Sequence, residues 1–414
     1  MVPKGWSVFR LEDIVIRTQL GTTERGMSED PLTTLIPLIK MGNLGWGSVN
    51  FNKVEYIEQS LINDSFLLKK GDFLFNTRNT PDLVGKSAVW DEDYTATFDN
   101  NINRIVFNKK VYTNFIAYYL NTGKGKSAIQ SLPAGSTSVA AIYWKDLKNI
   151  QLLLPSLGEQ QKIVQILSTW DKSIVVTEKL LTNSQQQKKA LMQQLLTGKK
   201  RLLDENGVRF STEWEFKRIS EIATRVQRKN DAAEHPILTI SSLSGFVRQD
   251  ERYSRYMAGE SVKNYILLKK GEFAYNKGNS KTYEFGCIFD LEAYEAGLVP
   301  HVYVCFRLKN GLSHRYFKYL FEADYLKPQL GALVNTGVRN NGLLNIKPTE
   351  FMQTKVPVPC FEEQESIADM LYNSSRTIRV LQDKLACLRD EKKALMQQLL
   401  TGKRRVKVDE AVAE

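Results

Sequence analysis

The chain has 414 residues, of which 42% are hydrophobic and 25% charged, a composition typical of a globular protein with two or three domains. No apolar run is long enough to span a membrane and the first residues carry no secretory signal, so we expect a cytoplasmic protein. The formal net charge of +11 favours a polyanionic partner, because basic side chains release the counterions condensed on phosphates. The four cysteines form no Cys-x-x-Cys pair, which argues against a zinc site.

Residues 1–155 have the pattern of an α+β domain. Short runs rich in β-branched and aromatic residues, such as SAVWD (87–91) and INRIVF (102–107), alternate with turn residues and predict strands. We also predict a strand for LLKKGDFLF (67–75) and a helix for VYTNFIAYYLNT (111–122). The first 155 residues are therefore expected to fold as one globular domain.

Residues 156–198 are predicted to form one long helix. The segment follows Pro155 and an acidic stretch, which suits a helix N-terminus, and Gly198 stands where a helix commonly ends. About 40 residues at 1.5 Å each make a rod of roughly 60 Å. Seam positions of a coiled coil recur at alternating intervals of four and three, at Ile163, Leu167, Trp170, Ile174, Thr177, Leu181, Ser184, Lys188, Leu191 and Leu195.

The remaining chain repeats this order. A linker over 199–212 leads to a second α+β domain at 213–359, a second long helix at 360–402, and a tail at 403–414 that is first basic and then acidic. The seam of the second helix lies 204 residues after the first, at Ile367, Leu371, Ser374, Ile378, Leu381, Leu385, Leu388, Lys392, Leu395 and Leu399. The chain is therefore predicted to contain two copies of one unit of about 200 residues.

The two copies are nearly identical in one part of their sequence and unlike in another. KKALMQQLLTGK is present at 188–199 and again at 392–403, whereas 77–135 has no convincing match in 277–337. Two such helices most simply pack against each other, and the sequence leaves parallel and antiparallel packing open. The basic residues that follow each helix complement its dipole, and this explanation is at least as good as DNA contact.

Motifs that would indicate catalysis are missing. GKS (85–87) and GKS (125–127) resemble the end of a phosphate-binding loop, but Thr80 and Leu120 stand where its first glycine is required. The sequence has no GxGxxG helix start, HExxH pair, GxSxG elbow or Asn/Asp-Pro-Pro-aromatic motif, and only three histidines. We therefore expect no enzymatic activity, no metal site and no small-molecule substrate for this chain.

Two polar loops in each copy are candidate DNA contacts. Asn and Arg can read base edges in the major groove, while Lys and Ser mostly contact phosphates. These residue types also populate ordinary turns, but four such loops at matching positions on a basic protein favour DNA contact. The candidates are Asn76, Thr77, Arg78, Asn79, Lys86, Ser136, Thr137 and Ser138 in the first copy, and Asn276, Lys277, Asn279, Ser280, Lys281, Asn335, Arg339, Asn340 and Asn341 in the second.

The pattern resembles the specificity subunit of Type I restriction–modification systems over essentially the whole chain. The resemblance is carried by PKGWSVFRLEDI (3–14), LLKKGDFLF, AGSTSVAAIYWKDLKNIQLLLPSLGEQQKI (134–163) and the helix end LMQQLLTGK. It implies an α+β fold with two unlike target-recognition domains, joined by two like helices that pack as an antiparallel coiled coil with pseudo-twofold symmetry.

The resemblance also implies a function and partners. Each domain would read one half of an asymmetric bipartite target in double-stranded DNA, while the helix pair sets the spacing and docks two methyltransferase subunits. Adenine methylation and restriction would be carried out by the modification and restriction subunits, which bind S-adenosylmethionine, ATP and Mg. Alternatives are the recognition subunit of a Type IIB-like methyltransferase–nuclease complex, and a coiled-coil scaffold that does not bind DNA.

Overall fold

The computed structural model describes residues 2–26, 33–135, 139–231, 234–252, 259–278, 280–334 and 344–408, without the side chains of 259–261. Contacts group the chain into two compact units, Met1–Thr177 with Lys384–Glu414, and Glu178–Asp383. Each compact unit combines one α+β domain with parts of both long helices. Within the described ranges, no helix is both long and apolar enough to cross a membrane. The domain limits given above remain predictions.

The first domain is built from short strands and helices. Its strands are β1 (Ser7–Arg10), β2 (Val15–Leu20), β3 (Leu35–Ile39), β4 (Glu55–Glu58), β5 (Phe73–Asn76), β6 (Arg78–Asn79), β7 (Ser87–Val89), β8 (Thr97–Phe98), β9 (Ile102–Phe107), β10 (Ala134–Gly135), β11 (Ala140–Ala141) and β12 (Gln151–Leu154). Its helices are α1 (Leu11–Ile14), α2 (Thr113–Leu120), α3 (Gly123–Gln130) and α4 (Trp144–Leu147), and the long helix α5 (Leu157–Leu195) follows.

The second domain has a similar series of elements. Its strands are β13 (Glu215–Arg218), β14 (Ala223–Arg225), β15 (Leu238–Ser241), β16 (Gly245–Arg248), β17 (Ile266–Lys269), β18 (Phe273–Asn276), β19 (Cys287–Asp290), β20 (Ala296–Val299), β21 (Val304–Leu308) and β22 (Lys355–Val358). Its helices are α6 (Ile219–Ile222), α7 (Gln249–Arg252), α8 (His314–Glu322), α9 (Lys327–Leu333) and α10 (Pro348–Phe351), and the long helix α11 (Phe361–Leu399) follows.

Both domains contain the same four-stranded antiparallel sheet. Its strand order is β2-β9-β5-β7 in the first domain and β14-β21-β18-β19 in the second. The central strands are buried, and their aromatic side chains pack against α2 in one domain and α8 in the other. The duplication therefore extends through segments whose sequences no longer match, because a core tolerates apolar exchange when volume and pattern are kept.

The KKGD/E part of the retained motif forms a turn before the central strand, so the single strand predicted for 67–75 is wrong. In the second domain the residues just before this turn belong to β17. The carboxylates of Asp72 and Glu272 accept the backbone N–H of the residue three positions before them, at 2.9 and 2.8 Å. Each carboxylate also pairs with an arginine that donates to the carbonyl of Leu67 or Leu267. That arginine is Arg104 of β9 in the first domain and Arg228, after β14, in the second. One acidic side chain therefore stabilises the turn and also binds an arginine, which explains why both copies retain the motif.

The two long helices confirm the coiled-coil prediction. Each spans 39 residues, and all twenty predicted seam positions are buried or half-buried. Gly198 and Gly402 follow the helix ends with φ angles of +71° and +69°, a left-handed conformation that ends helices and that glycine adopts without strain. The sequence therefore predicted the extent and the buried face of both helices.

The pairing of the helices is antiparallel within each compact unit. In the first unit, Asp171 of α5 pairs with Lys392 of α11, and Glu159 at the start of α5 pairs with Arg405 beyond the end of α11. In the second unit, Leu195 near the end of α5 packs in one cluster with Ile367 near the start of α11. The orientation left open by the sequence is thereby settled.

Candidate nucleic-acid interface

The two predicted loops of the first domain lie side by side. Strand β6, which carries Arg78 and Asn79, pairs with β11, and β11 pairs with β10, so the segment after Asn76 adjoins the segment around Gly135. The backbone N–H of Ile142 donates to the carbonyl of Thr77 at 3.0 Å. Ser136, Thr137 and Ser138 lie outside the described residues. The sequence therefore located two segments that the fold brings to one place.

The second domain shows the matching contact. The backbone N–H of Leu344 donates to the carbonyl of Lys277 at 3.1 Å, so the residues after the second predicted loop adjoin the first. Asn279, Asn335, Arg339, Asn340 and Asn341 lie outside the described residues. The two domains thus share the backbone arrangement of the candidate surface while their side chains there differ.

Glycines end the first loop of each domain. Gly85 and Gly286 both have a φ of +87°. A Cβ on Gly85 would lie 2.3 Å from the side chain of Ile129, and a Cβ on Gly286 would lie 2.4 Å from the carbonyl oxygen of Asn276. Only glycine fits such a position without a shift of its neighbours. Both loops are therefore held at a fixed exit point, although their residues differ.

The candidate side chains of the first domain are unequally accessible. Arg78 is exposed and forms no ion pair with any described residue, while Asn79 and Lys86 are half-buried. Thr77 donates its hydroxyl to the carbonyl of Asn101 at 2.9 Å. The amide of Asn76 is fully buried and has no hydrogen-bond partner in the described structure, so contact with a base would require movement of the loop. Their roles in DNA contact stay predictions.

In the second domain, local bonds occupy some candidates and leave others accessible. Asn276 accepts the backbone N–H of Gly278 at 3.0 Å through Oδ1. Ser280 accepts the backbone N–H of Tyr283 at 3.0 Å. Lys281 is exposed, and burial together with the charge of Arg225 lowers the pKa of the half-buried Lys277. These roles also stay predictions.

Arg225 is a candidate that the sequence did not single out. It lies at the end of β14, and nothing in its local sequence distinguishes it from other arginines. Its Nε atom is buried without a hydrogen-bond partner among the described residues. Its place in the sheet, in register with Phe306 of β21, could not be read from the sequence.

The basic residues after the long helices have a structural role. Arg201 binds Glu363 through Nε and Nη2 at 2.5 and 2.7 Å, and Arg405 binds Glu159 through the same two atoms at 2.7 Å each. These carboxylates raise the pKa of both arginines. The two ion pairs occupy equivalent places, 204 positions apart. Both therefore join the end of one long helix to the start of the other within a compact unit.

Comparison with known proteins gives a consistent result. Residues 3–184 match the family model described as Type I restriction modification DNA specificity domain. The putative type I restriction enzyme MjaX specificity subunit of Methanocaldococcus jannaschii is 23% identical, over 98% of this chain and 95% of its own length. The EcoKI specificity subunit of Escherichia coli K12 is 22% identical, over 88% and 81%. A Type I system S subunit from M. genitalium superposes with a TM-score of 0.56 at 15% identity, covering 96% and 99%.

Proposed function

Because the chain belongs to the family of Type I restriction–modification specificity subunits, we propose that each α+β domain reads one half of an asymmetric, bipartite DNA target. One observation carries the proposal: the domains share a sheet and two equivalent loop contacts, yet present unlike side chains there. Thr77 and Arg78 stand in one loop where Lys277 and Gly278 stand in the other. Since base recognition depends on side-chain type, unlike loops on a common frame should read unlike half-sites.

The two long helices serve as the spacer in this proposal. Each 39-residue helix corresponds to roughly 60 Å, long enough to separate readers of half-sites about 34 Å, or one turn of DNA, apart. The predicted seam is buried along both helices, which supports a stiff spacer. Polar seam residues have partners: Lys188 pairs with Glu322 and Lys392 with Asp171.

The same helices provide two equivalent docking surfaces for two methyltransferase subunits. Residues that pack inside the protein are constrained by its fold, but exposed residues are free to diverge. Lys189, Gln193 and Gln194 are exposed on α5, and the residues at the equivalent positions of α11 are identical and also exposed, at Lys393, Gln397 and Gln398. Their identity supports recognition of both surfaces by two copies of one partner.

The chemistry belongs to the partner subunits in this proposal, and this chain is non-catalytic. Methylation of adenine would use S-adenosylmethionine, and ATP and Mg would be bound by restriction subunits. Among the described residues, no group of three or more His, Cys, Asp or Glu side chains could hold a metal ion. The four cysteines are free thiols, which fits a reducing cytoplasm.

A domain exchange tests the proposal. Residues 1–155 are replaced by the first domain of a relative with a known target, and the chain is expressed with its modification subunits. Sequencing of methylated bases should show one new half-site, with the other half-site and the gap unchanged. A change in both half-sites, or in neither, contradicts independent reading by the two domains.

A further inference from the structure

A tight turn of the first domain binds the first candidate loop. The turn lies at residues 99–102, between β8 and β9, and the backbone N–H of Ile102 closes it by donating to the carbonyl of Asp99 at 3.0 Å. Both the backbone N–H and the hydroxyl of Thr77 donate to the carbonyl of Asn101, at 2.8 and 2.9 Å. The turn therefore adjoins the candidate surface of the first domain.

The second domain forms the same turn at residues 300–303. The closing bond is again 3.0 Å long, from the backbone N–H of Tyr303 to the carbonyl of Pro300. Asn103 and Val304, the residues that follow the two turns, face the third residue of β5 and of β18 in the strand register. Both domains therefore carry this turn at the same place on the common sheet.

The central residues of the two turns are unlike. They are Asn100 and Asn101 in the first domain, and His301 and Val302 in the second. Asn100 is half-buried, and His301 is exposed. Two domains that read unlike half-sites need unlike side chains on an equivalent frame, because base recognition depends on side-chain type. The turns meet this requirement.

The turn itself does not explain the presence of Asn100. Asparagine is common in turns because it tolerates a left-handed backbone or bonds to the backbone near it. Asn100 does not have a positive φ. Its side-chain amide forms no hydrogen bond with the part of the chain that the structure describes, and neither does the ring of His301. Both side chains are therefore free to contact a ligand.

Both turns are held in place by buried neighbours. Asp99 is 1% exposed, and its carboxylate accepts the backbone N–H of Asn101 at 3.0 Å and the side-chain amide at 3.3 Å. The same carboxylate lies 3.6 Å from the guanidinium of Arg25. In the second domain, the hydroxyl of the buried Tyr303 accepts the backbone N–H of Ile240 at 3.3 Å. A turn that is already ordered loses less entropy when it binds.

We propose that Asn100 contacts the edge of an adenine in the first half-site and that His301 contacts a base of the second, an inference that rests on the proposed function. The amide of asparagine can pair with adenine in the major groove by donating to N7 and accepting from the N6 amino group. The imidazole of histidine offers a different set of donors and acceptors. Each turn is then a third reading segment beside the two candidate loops of its domain.

The test uses the full chain in complex with its modification subunits, and duplex DNA that contains the target found by methylation sequencing. Each base pair of both half-sites is replaced in turn, and the affinities of the wild type, Asn100→Ala and His301→Ala are measured at one salt concentration. Asn149→Ala is the matched control. It removes an exposed amide beside α1, at the end of β9 away from the turn.

Asn100→Ala should bind the target about 5- to 150-fold more weakly and should lose discrimination at one A·T pair of the first half-site. His301→Ala should lose discrimination at one base pair of the second half-site, and the control should keep all of it. Unchanged discrimination in either variant would overturn the inference. Loss at a G·C pair, or equal weakening on every duplex, would overturn the contact of Asn100 with adenine.

A duplex with 7-deazaadenine, which lacks N7, at successive adenines of the first half-site identifies the base. One position should weaken wild-type binding and leave Asn100→Ala unaffected, whereas equal effects on both proteins at every position contradict the contact. Asn100→Asp serves as a second variant if Asn100→Ala unfolds, and it should lose discrimination at the same base pair. Wild-type protein that does not distinguish its target from other DNA would instead contradict the proposed function.

Discussion

An arginine and a glutamate join the end of one long helix to the start of the other in each compact unit. Replacing the arginine by alanine should destabilise the second unit more than the first. Glu363 is fully buried, and it accepts Arg201 at 2.5 and 2.7 Å and the indole N–H of Trp214 at 2.8 Å. Replacement of Arg201 by alanine would leave a buried carboxylate with the indole as its remaining side-chain donor. An uncompensated buried charge is strongly destabilising.

The magnitude follows from the exposure of each arginine. The side chain of Arg201 is 21% exposed, and breaking such a pair should cost about 3–5 kcal/mol. The side chain of Arg405 is 44% exposed, so water can replace part of its role, but Glu159 is buried and would lose a donor, and the cost should be about 1–3 kcal/mol. Arg201→Ala should therefore destabilise the second unit more than Arg405→Ala destabilises the first.

Urea unfolding measures both effects. Trp214 is the sole tryptophan of residues 178–383, so its fluorescence reports on the second unit, and circular dichroism follows the whole chain. The matched control is Lys200→Ala, which removes a neighbouring exposed charge and should change the free energy of unfolding by less than about 0.5 kcal/mol. Equal losses for the two arginine variants, or a loss below about 1 kcal/mol for Arg201→Ala, would refute the reasoning.

Two further predictions concern titration and spacing. Burial raises the pKa of Asp324 to about 6, so the charged form disfavours folding as pH rises from about 4 through 6. The test is Asp324→Asn, because asparagine tolerates the φ of +54° that Asp324 adopts. Thermal unfolding should show that this variant is more stable than the wild type by about 1–3 kcal/mol at pH 7 and equally stable at pH 3. Stabilisation that persists at pH 3 would contradict an effect of the Asp324 charge. Deletion of one heptad from each long helix should change the gap in the methylated motif and leave both half-sequences intact, and new half-sequences would contradict the spacer role.

The helices could be predicted from the sequence because their constraints are local. Periodicity of four and three identifies the seam, and a glycine marks each end, without knowledge of any partner. Their direction could not be predicted, because a symmetric pattern of seam residues fits either orientation. It is fixed by pairs such as Arg405 with Glu159, which lie 246 positions apart in the chain.

The candidate surface could be predicted only in part. Loop residues such as Arg78 and Lys281 could be proposed as candidates because turn composition and charge are visible in the sequence, and their role in DNA contact stays a prediction. Arg225 and the buried state of Asn76 could not, since both depend on strand register. The arginine that holds the KKGD/E turn shows the same limit, because Arg104 of β9 and Arg228, which follows β14, reach one equivalent place from non-equivalent parts of the two domains.

The retained helix ends reflect two separate constraints that fall on different faces. Two ion pairs are retained, Glu159 with Arg405 and Glu363 with Arg201. Each pair joins the start of one long helix to the end of the other within a compact unit. Gln160 and Gln364 accept the backbone N–H of Tyr112 and Ser313, and so join each long helix to the start of the domain helix beside it. Packing explains these residues but not exposed matches such as Gln193 and Gln397, whose carbonyl groups accept the hydroxyls of Thr197 and Thr401 but whose side chains are exposed. In the proposed function, recognition by a common partner would explain that second set, because a partner that binds twice constrains both copies of its surface alike.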